Sequence, residues 1–398
     1  MNKISKISAL LAISTLYVSH VSAITVSEKA NKLAQENIII DSHIDVPYRL
    51  EEKWVDVTKA TEDGDFDYPR AKQGGLNAPF MSIYIPASLD NSANATKLAD
   101  KLIDYVEAIV GRAPDKFAIA SSTADVEQQF AKGLISLPLG MENGSPIQGD
   151  LANLQHFYDR GIRYITLAHS QANHISDSSY DLRRKWKGLS PFGKELVAAM
   201  NKVGVLVDIS HVSDAAFYQA LEISQTPVIA SHSSLRAFTP GFERNMDDEM
   251  ITALGKNGGV IQINFGSTFV TKRANAWSKK RSAEQDKVEQ EFGKDSEEYT
   301  GFRAKFAEEN PLPYATLDSV LDHIDHVVKL IGIDHVGIGS DYDGVGDSLP
   351  TDLKDVSTYP NLIQGLLNRG YSDKNIVKIL SGNFMRVWKA NEEYAAKN

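Results

Sequence analysis

The sequence predicts an α/β fold, a (β/α)8 barrel. Three observations carry this. Short apolar, β-branched runs alternate with helical patterns about eight times. Most of these runs end in a histidine or an acid, as strands do where they open onto an active face. The chain has 398 residues, 42% of them apolar, enough for such a barrel and its core.

Residues 1–23 are expected to lie outside that fold. Lys3 and Lys6 precede an apolar run from Ile7 to Val18, and Val21-Ser22-Ala23 follows with a small residue at the cut. This is the three-part pattern of a secretory signal peptide, with cleavage after Ala23. The apolar run is shorter than the roughly 20 residues a spanning helix needs. The expectation is a soluble protein, periplasmic or secreted, without a membrane anchor, in which residues 24–398 form one domain. The net charge of −10 argues against nucleic acid or an anionic membrane held by electrostatics. There is no cysteine, which excludes disulfides, thiolate metal ligands, iron–sulfur clusters and a cysteine nucleophile.

The first strand is Ile38-Ile39-Ile40-Asp41-Ser42-His43-Ile44-Asp45. Positions i and i+2 of a strand point to one side, so His43 and Asp45 converge just beyond a buried run. Imidazole and carboxylate suit zinc or a similar divalent ion, although H-x-D alone also describes a strand leaving into a polar turn. Arg49 to Gln73 is charged and aromatic without clear periodicity, and reads as a surface excursion. Phe80 to Ile85 is the second strand. Leu98, Leu102, Tyr105 and Ile109 share one face of a helix over 97–110. Residues 135–144 read as the third strand, ending at Glu142, and Asp150 caps a helix through Arg160.

Strands four to six are 163–169, 205–211 and 227–232, ending in His169, His211 and His232. Helical patterns cover 193–202 and 213–223 between them. Strand seven is 259–265. Strand eight, 335–341, ends in Asp341. A lone strand-end histidine usually satisfies a local hydrogen bond. Three of them, with H-x-D and two acids on the same predicted rim, point to a metal centre. Residues 267–313, between strands seven and eight, are long and rich in Lys, Glu and Arg, and should sit over the catalytic face as a lid or a solvated insertion. His156, His323 and His326 lie in helical stretches, His335 starts its strand, and His174 is kept as a substrate-contact candidate.

The segments D-S-H-I-D (41–45), G-M-E-N-G (140–144), R-Y-I-T-L-A-H-S (163–170), D-I-S-H-V-S (208–213), P-V-I-A-S-H-S-S (227–234) and G-I-G-S-D-Y-D-G-V (337–345) resemble the membrane (renal) dipeptidase family of zinc peptidases, within the metal-dependent amidohydrolase-like barrels. The tail segments 355–360 and 382–387 are similar too. The resemblance implies two zinc ions. His43 and Asp45 would bind the first, Glu142 would bridge, and His211 and His232 would bind the second. Asp341 would lie at the first metal and handle protons. His169 would contact the substrate and the developing oxyanion. Arg244 resembles the arginine that holds the dipeptide carboxylate, with a spacing from His232 about one residue longer. The other reading of Arg244 is a surface arginine paired with Glu243, Asp247 or Asp248. Where mammalian members have a tyrosine after Asn-Phe, Gly266 follows Asn264-Phe265 here.

The resemblance implies hydrolysis of the single peptide bond of dipeptides, including those with a C-terminal D-residue. Two alternatives stay open: another amide, lactone or ester hydrolase on the same barrel, and a specialised maturation factor of the same family. A homodimer is left open.

Overall fold

In the computed structural model, which describes residues 24–398, ten strands are present among the described residues. They are β1 (Ile40–Ile44), β2 (Ala78–Tyr84), β3 (Phe117–Ile119), β4 (Ile135–Leu137), β5 (Leu139–Glu142), β6 (Ile162–Thr166), β7 (Leu206–Asp208), β8 (Ile229–Ser233), β9 (Val260–Ile263) and β10 (Val336–Ile338). Eight form one parallel sheet in the order β1-β2-β5-β6-β7-β8-β9-β10. The sheet closes on itself only at its upper end. There Ile44 bridges Tyr342, Asp341 N–H donates to His43 O at 3.1 Å, and Asp45 N–H donates to Tyr342 O at 2.9 Å. The closing seam therefore runs between Asp45 and Asp341, two of the three acids expected at the site. The predicted signal peptide lies outside the described residues. No described helix is long and apolar enough to cross a membrane.

Strand geometry sends alternate side chains to opposite faces, and the core divides accordingly. Ile40, Phe80, Tyr164, Leu206, Ile229 and Val260 form one buried cluster with Phe384, Val387 and Trp388 of the helix Asn383–Ala395. Their sequence neighbours Ile39, Met81, Ile165, Val207, Ala230 and Ile261 join a larger cluster with the surrounding helices. The first cluster is the barrel interior, closed at the bottom by the C-terminal helix. Each fully buried aromatic there contributes roughly 2–3 kcal/mol through removal from water.

The sequence reading needs four corrections. The third strand is two strands. Pro138 has no N–H to give a ladder, and the chain breaks there. Residues 135–137 pair with the unpredicted β3 in a separate two-stranded sheet, and 139–142 enter the barrel. The helix Glu28–Glu36 was not anticipated, and residues 49–73 are more than a surface excursion. They include parts of the helices Val46–Glu52 and Tyr68–Gly74, and they bury Leu50, Val57, Phe66 and Ala71. Several strands are also shorter than expected, because His169, His211 and Asp341 leave the ladder before their side chains turn inward. His211 (φ 68°) and Asp341 (φ 65°) adopt left-handed backbone, a conformation L-residues avoid unless the surroundings impose it.

The insertion is helical, with segments Ser267–Val270, Lys272–Phe292 and Glu297–Glu309. The two longer helices form a hairpin held by Trp277 against Phe306, with ring centroids 5.4 Å apart. It stands over the C-terminal mouth of the barrel, as expected from its place in the chain.

Candidate metal centre

His43, Asp45, Glu142, His169, His211, His232 and Asp341 all converge at the C-terminal mouth. Glu142 is the centre of the arrangement. Its Oε2 lies 3.5 Å from His43 Nε2. Its Oε1 lies 3.1 Å from His211 Nε2, 3.3 Å from His232 Nε2 and 3.5 Å from His169 Nε2. His43 Nε2 is also 3.4 Å from Asp45 Oδ2. Three sets of donor atoms lie close enough to share an ion: His43, Asp45 and Asp341; His43, Glu142 and His232; and Glu142, His169 and His211. Asp45 reaches this point from the start of a helix rather than from the strand, its φ of −91° and ψ of 28° bending the chain.

The second nitrogens are held from behind. His43 Nδ1 is 2.8 Å from Tyr164 Oη. Tyr164 can cross β5 because residue 140 is glycine: a Cβ there would lie 1.9 Å from the tyrosine ring. The Ser231 hydroxyl donates to Asp208 Oδ2 at 2.6 Å, so it accepts from His232 Nδ1, 2.8 Å away. His232 Nε2 is thereby left with its lone pair. Asp208 also takes the N–H of Ser210 and the hydroxyl of Thr166, and so fixes the backbone that leads to His211. Asp41 accepts from the N–H groups of His43 and Ser340 and from the Tyr359 hydroxyl, tying β1 to β10, and burial pushes it up to about 6. Asn264 Nδ2 donates to Asp341 Oδ2 at 2.7 Å. A Cβ on residue 344 would lie 2.1 Å from Asp45 Oδ2 and 2.3 Å from Asp341 Oδ1, so glycine follows the D-Y-D run for reasons of space.

The electrostatics are those of a site assembled for cations. Burial holds His211 and His232 well below the ordinary imidazole value, with Arg244 adding to the effect on both. Burial likewise lowers His169. Neutral imidazoles are the ligand form. For Glu142 burial opposes ionisation, but His43 and His169 outweigh it and the carboxyl is held low. For His43 burial opposes charge, while Tyr164, Glu142 and Asp45 overcome it and raise the imidazole. Asp341 is raised by burial and by its neighbour Asp45. His43 Nε2 and Asp45 Oδ1 are buried without a hydrogen-bond partner among the described residues. His211 Nε2 and His232 Nε2 stand 2.7 Å apart, a distance at which two lone pairs share a proton or face a common cation. An all nitrogen-and-oxygen donor set of this kind fits divalent zinc.

Arg244 is 3% exposed, with Nη1 donating to Ser233 Oγ at 2.7 Å and Nη2 to His232 O at 2.6 Å. The surface reading of this arginine fails, because its three candidate partners are engaged elsewhere. Glu243 pairs with Arg184, Asp247 with Arg236, and Asp248 with His326. Arg244 forms no ion pair among the described residues, and its Nε has no partner. His174 does not line the cavity, and neither does Arg244, whose guanidinium lies 5.5 Å from the lining ring of Phe269. The His174 ring packs on Phe192, and burial pushes it down to about 4. Sequence reasoning missed Tyr164, Asp208, Asn264 and Tyr180. Asn264 stands at the end of its strand, so the rule that found the others could have found it. Tyr180, on a loop with its ring 6.0 Å from His211, gives no such signal.

A parallel barrel with a buried ring of imidazoles and carboxylates at its mouth defines a metal-dependent hydrolase. The chain belongs to the membrane dipeptidase family, peptidase family M19, whose profile matches residues 27–398. It is 30% identical over 385 residues to an uncharacterized dipeptidase of Schizosaccharomyces pombe, spanning 93% of this chain and 84% of that protein. It is 30% identical over 381 residues to dipeptidase 3 of Mus musculus, spanning 93% of this chain and 68% of the relative. Its fold matches the probable dipeptidase PvdM from Pseudomonas aeruginosa with a TM-score of 0.80 at 27% identity, over 92% of this chain and 98% of that one. The chain is a dipeptidase of a metallopeptidase family.

Proposed function

We propose that this dipeptidase holds two zinc ions and cleaves dipeptides with a C-terminal residue of either hand. The observation that carries this is the two-sided carboxylate of Glu142, one oxygen toward His43 and the other toward His211 and His232. In this reading His43 and Asp45 would hold one ion and His211 and His232 the other, with Glu142 available to both. Asp341 lies beside the first. Zinc held by these residues would supply Lewis acidity toward the peptide carbonyl and a lowered pKa for a bound water. Asp341 takes the proton and returns it to the leaving amine, and its raised protonation tendency and its hydrogen bond from Asn264 suit that exchange. His169, kept neutral by burial, donates an N–H to the oxyanion, a contribution of about 3 kcal/mol.

Length selection falls to Arg244. A free carboxylate one residue beyond the scissile bond exists only in a dipeptide, and a guanidinium reads it bidentately. With the carboxylate fixed, a cavity of about 1160 Å³ leaves room for a side chain of either configuration. The same reading keeps residues 24–398 as one exported domain, with residues 1–23 removed as a signal peptide.

The test is a panel of L,L- and L,D-dipeptides and matched tripeptides, assayed before and after chelation. Both dipeptide classes should be cleaved and tripeptides should not, with activity lost on chelation and restored by zinc. Equal cleavage of tripeptides, or activity indifferent to chelation, would overturn the reading.

A further inference from the structure

A dipeptide with small side chains fills only part of this cavity. Pockets of roughly 300–1,000 Å³ hold whole drug-sized ligands, and this one is about 1160 Å³. Its remaining volume runs from the metal centre to the hairpin over 272–309. The wall between them is aromatic. Phe269 lies 5.5 Å from the Arg244 guanidinium, Phe242 is 5.9 Å from Phe269, and Lys279 sits 5.8 Å over Phe242. One helical turn beyond Trp277, about 6 Å, Arg281 stacks on the Trp277 ring at 5.0 Å. Arg303 reaches the same end of the cavity from the second helix.

Among the described residues none of these cations is neutralised by a carboxylate, although Lys279 and Arg303 are exposed and Arg303 Nε donates to Gln285 Oε1 at 3.4 Å. The hairpin's ion pairs are Lys280 with Glu284 and Lys294 with Glu289, and none among the described residues involves Lys279, Arg281 or Arg303. Arg281 Nε is buried without a hydrogen-bond partner. Of the nearby carboxylates, Asp347 is held by Lys354 and Tyr314. Asp286 also borders the cavity but forms no ion pair with Arg281, whose guanidinium is lowered by burial and by the like charge of Arg303. Two guanidiniums that face a cavity and repel each other are relieved by an anion between them.

We propose that this far end of the cavity binds the anionic terminus of a long side chain on the substrate's C-terminal residue, with Arg281 and Arg303 reading the charge and the aromatic wall carrying the stem. The proposal rests on the dipeptidase reading. The substrate class is a dipeptide whose second residue carries an extended apolar arm ending in a carboxylate or phosphate.

The experiment compares alanyl-(Nε-succinyl)lysine with alanyl-(Nε-succinamoyl)lysine, which differ only in the terminal charge, and uses alanyl-alanine as the short reference. In the wild-type enzyme kcat/KM should favour the succinyl substrate about tenfold, the range for two partly exposed charge contacts. That ratio should shrink as salt is raised and fall to about one in R281Q/R303Q. A ratio near one in the wild-type enzyme, a ratio unmoved by salt, or a ratio that survives the double substitution would overturn the proposal. Wild-type cleavage keeps the two readings apart: cleavage of alanyl-alanine beside a ratio of one defeats only this inference, and failure to cleave any of the three dipeptides defeats the dipeptidase reading itself. The salt series on the wild-type enzyme decides the matter even if the double variant fails to fold.

Discussion

The barrel rim and the helical hairpin above it are built from opposite materials. On the rim His43, Glu142 and His232 are buried, and both histidines are held through their second ring nitrogen. In the hairpin the helix Lys272–Phe292 buries only Ala274 and Asn275, and Glu297–Glu309 buries only Phe306. A group held by packing and second-layer hydrogen bonds can keep ligand geometry to a fraction of an ångström. A solvated hairpin with little core opens and shifts at low free-energy expense. The division suggests where each task sits: bond cleavage on the rim, recognition of what hangs from the dipeptide on the hairpin.

Substitutions can break this division, and their expected effects are graded. His169→Ala should give the largest. Losing one oxyanion donor lowers kcat by about 10²–10³, and metal content should stay at the wild-type level. The geometry makes this a sharp test, because His169 Nε2 is as close to Glu142 as a ligand histidine would be, at 3.5 Å. What separates it is its position on the outer side, its side chain 19% exposed against 6% for His211 and 1% for His232. Metal loss in the variant, measured by elemental analysis, would make His169 a ligand.

Arg244→Ala comes next. Removing one member of a buried charge contact should lower kcat/KM on dipeptides by roughly 2–4 kcal/mol. It should also narrow the gap between a dipeptide and its C-terminal amide, which offers no charge to read. Kinetics on both substrates in both proteins check this, and an unchanged acid-to-amide ratio would leave dipeptide selection to some other residue. The hairpin's arginines, with an effect of about tenfold on one substrate ratio, stand last. An effect there as large as that of His169 would mean that the hairpin takes part in the chemistry.

The same contrast explains what was legible in the sequence. Rim residues were readable because a strand end combines two strong signals, a buried β-branched run and an abrupt polar terminus. His43, Glu142, His169, His211, His232 and Asp341 were all found in that way. Tyr164 and Asp208 were missed because they act one layer behind. A tyrosine inside a strand reads as core, and only the bare Cα of Gly140 and the path to His43 Nδ1 reveal its task. Tyr180 and the hairpin cations were out of reach for another reason. Their meaning depends on which distant loops share a cavity, and periodicity says nothing about that. The split at Pro138 was visible in the residue itself but was outweighed by the apolar run on either side.

The central claim is that Glu142 joins two metal sites. The most direct measurement is anomalous scattering at the zinc edge from crystals of active enzyme. The account requires two peaks, one among His43, Asp45 and Glu142 and one among Glu142, His211 and His232, each contacting one oxygen of the shared carboxylate. A single peak, or peaks that do not share Glu142, in fully active protein would contradict it.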